Sequence, residues 1–164
     1  NRGIKTVHPE QKLVVALDGI QHPGNMGTII RLCLWFGVEN IICSFDTVDC
    51  YNPKVVQSSM GAIAKVHLQY IDLPKYLTMI KATNVQIFGA FLDGENIYQT
   101  SLSSTGIVVM GNEGNGISSE VARHIDNRIT IPSFMDGSYG AESLNVATAT
   151  AITLSEFKRR CIKP

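Results

Sequence analysis

No stretch of the 164-residue chain is apolar over the ~18 residues that a membrane span needs, and no basic-then-apolar leader opens it. Cysteine is scarce. Cys33, Cys43, Cys50 and Cys161 form no C-x-x-C pair, and no His stands at zinc-finger spacing from them. No metal site is readable, and the pattern fits reduced thiols in a cytoplasmic protein. Net charge is missing too, with 14 basic and 14 acidic residues. Nucleic-acid binders are usually basic, so composition alone weighs against such a partner. That objection holds only if the basic residues are evenly spread and no other domain supplies the field. The first residue is Asn1 rather than Met, as in an excised domain with an upstream domain missing. Finally, G-x-G-x-x-G is absent from the turn after the first apolar run, Asp18-Gly19-Ile20-Gln21-His22-Pro23-Gly24-Asn25. An ordinary dinucleotide-binding fold should carry it there.

What is present is the material of one compact domain, 1–164, with 45% hydrophobic and 17% charged residues. Short, β-branched apolar runs predict strands at 12–17, 40–43, 64–70, 85–90, 107–110 and 128–131. Helical patterns fall between them at 28–36, 53–58, 72–82, 118–124 and 143–160. The alternation implies an α/β fold, a parallel sheet with helices on both faces. In such sheets ligands bind beyond the carboxyl ends of the strands. The loops at 18–27, 89–95, 111–117 and 132–143 are therefore where chemistry is expected.

Three segments there carry polar residues in telling positions. In Asn25-Met26-Gly27-Thr28-Ile29-Ile30-Arg31, Asn25 is placed to cap a helix and Arg31 lies one turn beyond Gly27, on its face. Read alone, this is equally an Asn cap and a surface Arg. Gly111-Asn112-Glu113-Gly114-Asn115-Gly116 follows a buried strand directly. Its glycines let backbone press on a ligand, but no Lys-Ser/Thr follows, and Glu113 would repel phosphate. A plain tight turn is the simpler reading. Ile131-Pro132 leads through a glycine- and serine-rich stretch to Glu142-Ser143-Leu144-Asn145-Val146-Ala147, with Ser143 placed as an N-cap. The small residues after it speak mainly for close packing.

Taken together, N-x-G-x-x-x-R, G-N-E-G-x-G-I and I-P…S-L-N-V-A resemble the three signature motifs of the SpoU RNA methyltransferases, a branch of the SPOUT superfamily. Ser58-Ser59-Met60-Gly61-Ala62 is similar to the family's S-x-G-A segment. The resemblance implies a Rossmann-like sheet with a C-terminal trefoil knot built from 88–92, 111–116 and 131–145. It implies a homodimer with each active site near the subunit interface. The implied reaction is transfer of a methyl group from S-adenosylmethionine to a ribose 2′-hydroxyl of rRNA or tRNA, without metal.

By the same resemblance Arg31, Asn25, Glu113, Ser143 and Asn145 are the catalytic candidates. Ala90, Gly111, Asn112, Gly114, Ile131, Pro132, Ser143, Leu144 and Asn145 are the cofactor-binding ones. A guanidinium holds its proton too firmly to act as a free base, so Arg31 reads better as a phosphate clamp that stabilises a developing oxyanion. Asn25 and Glu113 are expected to orient Arg31 or the nucleotide. Two departures stand out. The stretch between Pro132 and Ser143 is longer than the family's compact loop. Leu32-Cys33-Leu34-Trp35-Phe36 is unusually apolar, as either core packing or a subunit interface through Trp35. His22 is expected to be an idle loop residue.

Overall fold

The computed structural model describes residues 6–135 and 143–162. Six strands form one sheet: β1 (Leu13–Asp18), β2 (Asn40–Cys43), β3 (His67–Tyr70), β4 (Ile87–Asn96), β5 (Gly106–Gly111) and β6 (Asn127–Thr130). Their order is β3-β2-β1-β5-β4-β6, and every pairing is parallel. Both faces are covered, so the central strands are apolar throughout. Val15 and Leu17 of β1 join one core and Val14 and Ala16 the other, as a two-residue side-chain period requires.

One face is covered by α1 (Pro23–Trp35), α2 (Pro53–Ser59) and α5 (Val146–Arg159), and the other by α3 (Leu73–Lys81) and α4 (Ser119–Ala122). Pro23, Pro53 and Pro74 sit in the first turns of their helices, where a missing N–H costs nothing. Helix α1 packs tightly on α2 at Gly27, where a Cβ would overlap the Ser58 side chain and the Val55 carbonyl. This close approach accounts for the glycine that the first motif demands.

Four expectations are corrected. Residues 24–27 are helix rather than loop, and Asn25 lies inside α1, which His22 caps by accepting the Asn25 N–H at 3.3 Å. Asn145, not Ser143, caps α5 through the Ala147 and Thr148 N–H groups at 2.9 and 3.2 Å. Residues 89–95 belong to β4, with a bulge in which Ala90 and Glu95 both pair with Ile129. The stretch 64–66 is not strand; Ala62–Ala64 form a short 3-10 helix. Most of the long stretch between Pro132 and Ser143 lies outside the described residues.

Helix α5 is anchored at its C-terminal end. Phe157 meets Phe88 edge to face with ring centroids 5.1 Å apart. Glu156, only 5% exposed, accepts from Arg159 Nε and Nη2, both at 2.8 Å, and from Arg160 Nε at 2.9 Å. Arg160 also donates to the carbonyls of Ile97 and Tyr98. The Arg159 hydrogen bonds, followed by those of Arg160, outweigh desolvation and hold the Glu156 carboxyl down to about 2. Its stabilising contribution is therefore complete above the ordinary glutamate range and is lost as pH falls through that range toward about 2. Glu156→Gln should lower unfolding free energy by about 2 kcal/mol at neutral pH, less below pH 4, as read by urea denaturation.

Candidate functional site

The order of the sheet reverses between β1 and β5: the chain runs outward from β1 through β2 and β3, then resumes on the other side with β4 and β5. Ligand crevices open at such switch points, beyond the carboxyl ends of the strands. β1 and β5 are in register up to Asp18 opposite Gly111, so the loops that follow them emerge side by side. Asn112 fixes this junction. Its Nδ2 donates to the Gly19 carbonyl at 2.6 Å, and its Oδ1 accepts from Gly114 and Asn115 N–H at 2.9 and 3.0 Å. The buried Asp18, read from the sequence only as part of a turn, accepts the Ser118 N–H at 2.7 Å and thereby holds the start of α4.

Glu113 is the centre of a polar cluster. Its Oε1 accepts from His22 N–H at 3.0 Å and Asn25 Nδ2 at 3.1 Å, and its Oε2 accepts from Gln21 N–H at 3.1 Å. Asn145 Nδ2 donates to Asn25 Oδ1 at 3.0 Å. The amide orientations follow from one another. Asn145 must turn its oxygen to the α5 N–H groups, so its nitrogen faces Asn25, whose own nitrogen then faces Glu113. Burial alone would raise the Glu113 carboxyl; its hydrogen bonds with the loop backbone and Asn25 prevail and hold it below its ordinary value. The ionised group keeps unused acceptor capacity on Oε2.

Beside the cluster a cavity of about 870 Å³ opens at the ends of β4, β5 and β6. It is lined by Ala90, Gly111, Asn112, Gly114, Ile131, Pro132, Ser143 and Leu144, the expected cofactor-binding residues other than Asn145, by the catalytic candidate Glu113, and by the unforeseen Asp93 and Thr153. Gly111 is bare by necessity, since a Cβ would overlap the backbone of Gly116 and Ile117. The bulged segment 91–94 forms one wall; Arg128 braces it, 3.5 Å over the Phe91 ring and 2.6 Å from Asp93. Among the described residues the lining holds two carboxylates, Asp93 and Glu113, and no Lys or Arg. Such a lining disfavours phosphate and suits a ligand with cationic centres.

Of the catalytic candidates, Asn25, Glu113 and Asn145 are joined by hydrogen bonds and Ser143 lies on the cavity. Arg31 is not brought into this group. It is exposed on α1, without a hydrogen bond or ion pair among the described residues. It stands about 9 Å along the helix from Asn25 and roughly 120° around it. His22 is not idle, being both cap and backbone donor. The signal was its place immediately before Pro23, a common first helical residue. Cys33 is core, but Leu34 and Trp35 are exposed, Trp35 by 83%, which removes core packing as their explanation. Among the described residues no group of acidic, His and Cys side chains could hold a metal, and no helix is long and apolar enough to cross a membrane.

Comparison with known proteins agrees with this geometry. A 23S rRNA (guanosine(2553)-2′-O)-methyltransferase of Bacillus subtilis is 33% identical over 156 residues, 92% of this chain and 61% of the relative. The 23S rRNA (guanosine-2′-O-)-methyltransferase RlmB of Neisseria meningitidis is 32% identical over 92% of this chain and 60% of its own length. The chain thus spans about three fifths of these curated relatives. The crystal structure of an AdoMet-bound rRNA methyltransferase from Sinorhizobium meliloti superposes with a TM-score of 0.85 and 31% identity, covering 96% of this chain and 60% of that one. The model of the SpoU rRNA Methylase family matches residues 12–155. With its three motif segments gathered at one switch point and most of its length matched, the chain belongs to the SpoU rRNA methylase family.

Proposed function

We propose that residues 1–164 are a single catalytic domain that transfers a methyl group from S-adenosylmethionine to a ribose 2′-hydroxyl of rRNA or tRNA. The observation that carries this reading is the hydrogen-bonded chain Glu113–Asn25–Asn145 at the mouth of the glycine-walled, acidic cavity. The residues present fit the donor. The cavity volume suits a nucleoside-sized ligand, and its two carboxylates suit a sulfonium and an ammonium. Backbone groups of Ala90, Gly111, Ile131 and Leu144 would grip base and ribose.

When bound, S-adenosylmethionine supplies an activated methyl on a cationic sulfur with a good leaving group. The protein's task is then alignment and help with one proton. Glu113 stays ionised with one oxygen site free, and as a weak base it orients the hydroxyl or a basic side chain, while the hydroxyl proton passes to solvent water. Asn25 and Asn145 keep it in place, and Ser143 faces the donor. Arg31, exposed and unengaged, clamps a phosphate of the RNA. Only RNA offers the 2′-hydroxyl, so the chemistry itself selects RNA over DNA.

The finer architecture belongs to the same reading: a trefoil knot, a homodimer and a cytoplasmic location. Two features support the knot. Strand β6 lies at the edge of the sheet while α5, the element after it, packs on α1, and Ile97 N–H bonds Thr130 O. Exposed Trp35 and Leu34 on α1 support a dimer. Trp35→Ala should convert the dimer to monomer by light scattering; an unchanged mass would remove Trp35 from the interface.

Tritium transfer from methyl-labelled S-adenosylmethionine to unmodified ribosomal and transfer RNA tests the function. Label in one RNA class, at a ribose that resists alkaline cleavage, is expected. Normal cofactor binding without label on any RNA would replace the enzyme by a binding module.

A further inference from the structure

Helix α5 carries two buried threonines with different fates. Thr150 follows the usual course in a helix: its hydroxyl donates to the Val146 carbonyl, four residues back, at 2.7 Å. Thr153 is 1% exposed, lines the cavity, and its Oγ1 has no hydrogen-bond partner among the described residues. The Ala149 carbonyl lies four residues back in the same way, so the hydroxyl has a local acceptor that it does not use. Buried hydroxyls without partners are rare because the lost hydration is not repaid. A helix interior has no need of this one, and a Val or Leu would fill the space with no polar atom. An orphan hydroxyl on the wall of a ligand cavity is explained most economically by a ligand.

Its position selects which part of the ligand. Val146, Ala149 and Thr153 form the stripe of α5 that faces the cavity. Asn145, at the start of the helix, belongs to the polar cluster. Thr153 is eight residues further on, about 12 Å along the axis. If methyl transfer takes place beside the cluster, the far end of the donor, its nucleobase, lies toward Thr153. The cavity lining also includes the apolar Ile97, Met110 and Ile129, as suits a flat heterocycle. A single hydroxyl in such surroundings can act as donor or acceptor, and so can address a ring nitrogen or an exocyclic group on the purine edge.

We infer that Thr153 is a base-reading residue of the cofactor site, its hydroxyl hydrogen-bonding the edge of the purine carried by the methyl donor. The inference rests on the S-adenosylmethionine reading above. Calorimetric titration of S-adenosylhomocysteine and its inosine counterpart into wild type, Thr153→Val and Thr153→Ser separates the outcomes. Thr153→Val should bind both ligands about five- to tenfold more weakly, the range of one neutral hydrogen bond, because the hydroxyl can accept from the adenine amine or donate to the inosine carbonyl. Thr153→Ser should stay within about twofold of wild type. The ligand-free Val variant should melt no lower than wild type, because it removes an unpaired polar atom without changing shape. Unaltered affinity for both ligands in Thr153→Val would overturn the inference while leaving the cofactor reading intact. So would an equal loss for both ligands with a lowered melting temperature, which marks a packing role. No binding of either ligand by wild type would overturn the cofactor reading and this inference with it.

Discussion

Arg31→Ala lowers kcat/KM for methyl transfer to RNA by about 10- to 100-fold, the scale of losing one charge-assisted contact that positions the RNA. It leaves the dissociation constant for S-adenosylmethionine within about threefold, since a residue outside the cavity makes no uniform contribution to donor binding. These two results together define the role, and calorimetry beside a single-turnover methylation assay supplies both. If the side chain clamps a phosphate, the slope of log affinity for RNA against log salt should also shrink, by about 0.7–0.9 for the one lost contact. Arg31→Lys should recover the salt slope but only part of the rate, because an ammonium keeps the charge and loses the bidentate fork. A large loss of donor affinity in Arg31→Ala would instead place Arg31 on the cofactor, against its position on α1.

Gly111→Ala weakens donor binding by about 100-fold or more, through backbone rather than through a missing contact. The added Cβ would overlap Gly116 and Ile117, and both clashing groups are main chain. Neither can yield alone. Asn112 and Gly116 exchange two hydrogen bonds at 2.9 Å, and the Asn112 side chain ties the same turn to Gly19. Relief therefore moves the whole loop, including Glu113 and the cavity wall. The same overpacking costs about 1–3 kcal/mol of stability, so the melting temperature should fall by roughly 3–10 °C. Scanning calorimetry with and without donor separates the two effects. Gly114→Ala is the control: the one near neighbour of its added carbon is Asn112 Oδ1 at 3.6 Å, so stability should hardly change.

The strand-and-helix alternation was legible because fully buried parallel strands are short continuous apolar runs, as in Ile107-Val108-Val109-Met110. Asn40–Cys43 was read to the residue. What sequence could not settle were boundaries that depend on distant partners. Val14-Val15-Ala16 and Ile87-Phe88 are legible as strands, but nothing local shows that β4 continues through a bulge to Asn96 along β6. The cap of α5 was misplaced by two residues because Ser143 and Asn145 are both good caps. Asn145 is selected by a tertiary bond to Asn25, 120 residues away.

At the site, the motif residues were found by their types and spacing, whereas their relations were not. Sequence placed Asn25, Glu113 and Asn145 on three separate segments, and their order in a single donor-to-acceptor chain follows from side-chain geometry alone. Arg31 shows the reverse. Its motif spacing implied proximity to the loop, whereas it stands exposed on α1 without a hydrogen bond or ion pair among the described residues. Gln21 and His22 were missed as partners of Glu113 because they hold it through main-chain N–H, which every residue but proline possesses. Asp18 was missed because a carboxylate beside a glycine is commonplace in a turn.

The β1–β5 pairing has a consequence for the life of the chain before it is finished. The bonds that hold Glu113 span 88 to 92 residues, and the bond from Asn145 spans 120. A nascent chain that has emerged only as far as α3 has β1, β2 and β3 available but neither β5 nor any acceptor for the Gln21 and His22 N–H groups. Closing such long loops is slow compared with forming a helix. The cluster is thus among the last features to assemble, and donor affinity appears only when folding is complete. Donor in solution cannot speed the early steps; it acts afterwards, holding the finished molecule against reopening by mass action.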